Sequence, residues 1–120
     1  MEERLGLFRN TESTGTPQDG STPDVVGYGD IHNAYIQHLK ERVLFNAGSV
    51  GNPLELPQAG YAILEGVFGG QETAPLSVQL VSVPYDIALA VRQAEQSGMP
   101  NLEKYVYELT TARHRSTMNK

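Results

Sequence analysis

Apolar and polar residues alternate through the middle of this chain and change to a helical period in its last third. Residues 24–28 form a short β-branched run, which predicts a buried strand. Residues 34–39 alternate, with Ala34, Ile36 and His38 on one face and Tyr35, Gln37 and Leu39 on the other. Lys40-Glu41 makes a tight polar turn into Arg42-Val43-Leu44-Phe45, so this pair predicts a hairpin. Residues 59–65 and 76–83 predict two further strands, joined by a loop in which Gly69-Gly70 and Pro75 break any regular pattern.

After residue 85 the period lengthens. Asp86 is placed to accept free backbone N–H groups at the start of a helix, and Ile87, Ala90, Val91 and Ala94 recur at helical spacing. Gly98 ends that helix and Pro100 blocks its continuation. Asn101 is the expected cap of a second helix, on which Leu102, Tyr105, Val106 and Leu109 form one apolar stripe. Val83-Pro84-Tyr85-Asp86 stops a strand and starts a helix, with Tyr85 packing at the corner. About five strands followed by two helices predict an α+β fold.

The remaining segments are less regular. Leu5, Leu7 and Phe8 make a short apolar patch within residues 1–9, and residues 10–23 shift to Thr, Ser, Gly, Pro and Asp. That composition predicts a flexible surface loop. The expected organisation is therefore an N-terminal segment and loop at 1–23, a folded part at 24–113 and a disordered tail at 114–120.

Composition narrows the class. The chain of 120 residues is the size of one domain, and 39% hydrophobic with 19% charged residues suits neither a disordered chain nor a membrane protein. Runs such as Tyr61-Ala62-Ile63-Leu64 are far too short to span a bilayer, and Met1-Glu2-Glu3-Arg4 is acidic where a signal peptide would be basic. There are no cysteines, which removes disulfides and thiolate chemistry and suits a reducing cytoplasm. A net charge of −5 argues against a grip on nucleic-acid phosphates. Arg113, His114, Arg115 and Lys120 form a small basic end, read as a solvated terminus.

Two segments carry candidate chemistry. Gly27-Tyr28-Gly29-Asp30-Ile31-His32 runs out of the end of the first predicted strand, and Asn46-Ala47-Gly48-Ser49-Val50-Gly51-Asn52-Pro53 follows the third. A histidine just past a strand end can present one imidazole nitrogen to a metal while a neighbour fixes the other. Asp30 can ligate divalent Mn, Fe or Zn, or can cap its own turn with a side-chain oxygen, and the turn role has the stronger claim. Gly48 and Gly51 can take positive φ, and successive N–H groups around Ser49 would then form a weak anion nest. A plain structural turn explains the same residues equally well. The turn is no Walker-type loop, and Ser49 does not sit in a nucleophile elbow. Glu103 and Glu108 read as a solvated helix face, and Tyr105 and Tyr107 as packing and surface residues.

Together these two segments resemble the last motifs of the calcineurin-like metallophosphoesterases. In that family a strand ends in Gly-His-x-His and an Asn-x-Gly-Ser-Val-Gly-x-Pro turn follows. The resemblance runs from about residue 24 to 113. Tyr61-Ala62-Ile63-Leu64-Glu65 is similar to the family's next strand, and Val83-Pro84-Tyr85-Asp86, Gly98-Met99-Pro100 and a closing helix to one bacterial branch of it. It implies a phosphatase or phosphodiesterase fold of two facing sheets with helices outside, and a divalent-metal cofactor. By the same resemblance His32 is a metal ligand, Asp30 replaces the histidine of the second metal, and Asn46, Gly48, Ser49 and Gly51 lie near the phosphate.

The family's other ligand motifs (an Asp-x-His, a bridging Asp after Gly, an Asn-His pair and a lone His) have no counterpart in these residues. His38 falls mid-strand and His114 in the tail. A two-metal site holds cations roughly 3.5–4 Å apart, and two ligands on one short loop cannot cage them unaided. The expectation is a C-terminal portion of such an enzyme, inactive or incomplete alone. The alternative is a non-catalytic module that forms a homodimer or complements an N-terminal half, because half of a sandwich leaves apolar surface without its cover.

Overall fold

A computed structural model describes residues 24–67, 69–70 and 72–119, so the expectations for residues 1–23 lie outside the described part. The fold is α+β. It runs β1 (Val25–Tyr28), β2 (Tyr35–Leu39), β3 (Arg42–Asn46), β4 (Ala59–Glu65), β5 (Ser77–Val83), α1 (Ile87–Gln96) and α2 (Leu102–Thr111), then a 3₁₀ turn at Arg115–Thr117. No helix among the described residues is long and apolar enough to cross a membrane.

The first three strands form one sheet in the order β1-β3-β2, with β1 parallel and β2 antiparallel to β3. The β2–β3 hairpin closes on Leu39 opposite Arg42, so Lys40 and Glu41 are its two loop residues. Both take positive φ, +47° and +64°, the sign pattern of a type I′ turn. The right-handed twist of the flanking strands requires that turn, and neither side chain is of a type that favours it. Alternation in β2 resolves in favour of Leu39, which is buried, while Ile36 and His38 are exposed. Leu39 packs with Val26 of β1 and Leu44 of β3, and Tyr28 and Tyr35 lie against this cluster. The two tyrosine rings meet edge to face, and their hydroxyls are hydrogen-bonded to each other.

β4 and β5 make a separate two-stranded antiparallel sheet. Among the described residues no other element packs broadly on either of its faces. Tyr61 is 45% and Leu64 53% exposed, although they point to opposite faces of the hairpin. The facing-sheet arrangement that the resemblance implied is thus not formed between the two sheets described. The Cα radius of gyration is 17.5 Å and the molecule extends 50 Å along its long axis. A compact domain of ~100 residues has a radius near 13 Å, so the elements are strung out.

The helices follow the expected punctuation at both ends of α1 and depart from it at the start of α2. Asp86 Oδ1 accepts from the Leu89 N–H at 2.8 Å, which secures the first turn of α1. At its other end Gly98 takes φ +68°, its N–H donates to Glu95, and the Met99 N–H reaches back to the Ala94 carbonyl. These two bonds make a Schellman ending, and a glycine relieves the left-handed residue it needs. Ala112 ends α2, also in a left-handed conformation, donating to Glu108 O. Asn101 departs from expectation. It precedes α2 at φ +56° and makes no side-chain cap bond; its carbonyl accepts from Lys104 and Tyr105. Ala94 on α1 with Leu109 and Ala112 at the end of α2 are the buried apolar residues of this half. Burial raises the pKa of the Tyr85 hydroxyl, with Tyr105 adding to it, consistent with a corner packing role.

Candidate functional site

The two motif segments fold against each other at the C-terminal ends of β1 and β3. Parallel pairing aligns Tyr28 with Asn46, so both segments leave the sheet at the same edge. The Ala47 N–H donates to Tyr28 O at 3.2 Å, and the Leu54 N–H donates to His32 O at 3.3 Å. Asn46 is fully buried between them: its Nδ2 donates to Gly29 O, and its Oδ1 accepts from the Gly48 N–H at 2.7 Å. Ser49 Oγ accepts from the Asn52 N–H at 3.0 Å and closes the turn.

Gly48 stands at φ +76°, and a Cβ there would approach Ala34 Cβ to 3.1 Å. Its glycine identity is therefore set by backbone conformation and space. Gly51 does not share that conformation, contrary to expectation, and nothing crowds it. Because the Gly48 and Asn52 N–H groups are bonded to Asn46 and Ser49, the turn holds itself together with donors that an anion nest would have offered to a ligand.

A cleft of about 400 Å³ lies beside this junction, lined by Asp30, His32, Asn52, Glu108, His114 and Arg115 together with Ile31 and Leu54. Asp30 and His32 share it. Asn46, Gly48, Ser49 and Gly51 do not line it; Asn52 represents the turn there. Asp30 is exposed and takes φ +74°, so it serves as the left-handed residue of its bend.

Three residues of this cleft were read otherwise from the sequence. Glu108, expected on a solvated face, is only 2% exposed. Its carboxylate accepts from Arg115 Nε at 2.8 Å and Nη2 at 2.7 Å, from the Arg115 backbone N–H at 2.9 Å, and from Asn52 Nδ2 at 2.8 Å. The Arg115 side-chain bonds are the largest influence on its pKa. With the backbone bond and Asn52 they outweigh desolvation and hold it at about 2, below its ordinary 4.5. Arg115 and His114, expected in a solvated and disordered tail, are indeed exposed but form the start of a 3₁₀ turn that packs beside α2. His114 Nδ1 accepts from the Ser116 N–H and stays within that turn. No local pattern marks these contacts, because Asn52, Glu108 and Arg115 meet only through the tertiary fold.

The donor set does not fit a pair of metals. Among the described residues no three His, Cys, Asp or Glu side chains gather where they could hold a metal ion. Asn52 Oδ1 is buried with no hydrogen-bond partner among the described residues, which leaves one acceptor in the cleft unused. Comparison with protein-family models, curated proteins and solved structures finds no match.

Proposed function

We propose that this chain is the C-terminal portion of a calcineurin-like, metal-dependent phosphoesterase, incomplete without the elements that carry the remaining ligands. The observation that supports this reading is the mutual docking of the two motif segments. Residues 29–32 and 46–54 are tied by the Asn46–Gly29 and Leu54–His32 bonds, and they bring Asp30 and His32 to one cleft. In a completed assembly His32 would be one ligand and Asp30 a second, with a phosphoester as substrate and Mn, Fe or Zn as the metal. The absence of cysteine suits a cytoplasmic setting. Incubating the chain alone with Mn²⁺ and a simple aryl phosphodiester is expected to give no turnover. Robust turnover that disappears in His32→Ala would overturn the reading.

The β4–β5 hairpin, which no other described element covers, favours a second reading, a non-catalytic module that pairs with another copy or with a complementing N-terminal half. An isolated two-stranded sheet is marginal in water, and exposed Tyr61, Ile63, Leu64 and Val83 call for a cover. Light scattering that finds a stable monomer, both alone and with a candidate complementing chain, would contradict it.

A further inference from the structure

The outer edge of β5 carries a specific pairing surface. In an antiparallel ladder, residue pairs that exchange both hydrogen bonds alternate with pairs whose N–H and C=O groups point away. The Gly60 N–H donates to Ser49 O at 3.1 Å, outside the hairpin, so the Gly60–Ser82 pair is of the outward kind. The register then makes Ala62–Leu80 and Leu64–Val78 outward as well. Val78, Leu80 and Ser82 therefore aim their backbone groups away from β4, and no backbone group among the described residues meets them.

Nothing in β5 protects that edge. Its sequence, Ser77-Val78-Gln79-Leu80-Val81-Ser82-Val83, holds no charge and no proline, and all seven residues stay in register with β4 without a bulge. Protein edges are ordinarily blunted by one of these devices or by a covering element. β4 differs, because the Ser49 carbonyl already occupies the start of its outer edge.

We propose that a second copy of this chain pairs with this edge, β5 running antiparallel to its twin about a twofold axis at Leu80. Each outward residue supplies one donor and one acceptor, so Leu80 meets the twin's Leu80 and Val78 meets the twin's Ser82 with every group satisfied. No charged side chain faces another across the axis, despite the net charge of −5 on the whole chain. A twin brings the same edge, unpaired among the described residues, and a single contact covers both. The side chains of Leu64, Val78 and Leu80 lie on one face, and the pairing continues that stripe across a four-stranded sheet. The proposal rests on the module reading above and is independent of phosphoester chemistry.

Light scattering over a concentration series, combined with amide exchange, tests it. The expected result is a dimer in which the Val78, Leu80 and Ser82 amides become protected as concentration rises. The Gln79 and Val81 amides, bonded to β4, should be protected throughout. Ser82→Pro removes one outward N–H and Val78→Lys places a charge on the edge. Each should weaken association about tenfold or more with circular dichroism unchanged. If a variant fails to fold, the exchange pattern of the unmodified chain decides alone. A monomer at all concentrations overturns edge pairing while leaving a complementing half open. A dimer indifferent to both folded variants also overturns it, and leaves the module reading with a different surface.

Discussion

Asn52 Nδ2 donates to Glu108 Oε2 at 2.8 Å across 56 residues of sequence, joining the glycine-serine turn to the last helix. Arg115 closes the same carboxylate from the other side. This three-residue contact fixes the C-terminal turn beside Asp30 and His32, so the shape of the cleft depends on a buried anion that is itself no candidate ligand.

Replacing that anion should loosen the C-terminal end. Asn52→Ala removes one hydrogen bond to the carboxylate and Glu108→Gln two of its four, because an amide nitrogen accepts none; a bond to a charged group is worth about 1.5–3 kcal/mol. Because folding lowers the Glu108 pKa from 4.5 to about 2, its contribution is full above 4.5 and fades as pH falls from there toward 2. Urea unfolding of the unmodified chain at pH 7, 4 and 2.5 should show this acid loss, and Glu108→Gln should flatten it.

Gly48→Ala tests whether the turn is built on backbone conformation. The left-handed geometry and the contact with Ala34 predict a loss of roughly 1–2 kcal/mol. Gly51→Ala, free of both constraints, should stay within about 0.5 kcal/mol of the parent in the same unfolding assay.

The β2–β3 turn offers the opposite sign. Lys40 and Glu41 hold positive φ without a side chain suited to it. Lys40→Asn with Glu41→Gly supplies the residues that a type I′ turn favours and should stabilise the fold by about 1 kcal/mol. An unchanged midpoint would mean that solution relaxes the turn to another type.

Strands and helix ends were legible wherever period and punctuation agreed. Residues 59–65 matched β4 end to end, and Asp86 and Gly98 performed the capping expected of them. Which face of β2 is buried was open, since Ile36 and Leu39 compete on hydropathy alone and only pairing with β3 decides. Glu108 was misread because it sits beside Leu109 at the margin of an apolar stripe, and its partner Arg115 lies beyond the helix end. Asn101 was misread because a capping side chain in the sequence does not ensure the extended backbone that capping needs. Asp30 and His32, singled out through the family resemblance, line one cleft. The contact of Asn52, Glu108 and Arg115 was not legible, for Asn52 lies 56 residues from Glu108 and Arg115 reaches back to it from beyond the helix end.

A crystal of this chain soaked in Mn²⁺, with anomalous scattering inspected around His32, tests the central claim most directly. The account predicts no dinuclear centre at Asp30 and His32, because among the described residues too few ligating side chains converge there. Two fully occupied manganese ions roughly 3.5–4 Å apart, held by residues of this chain alone, would contradict it.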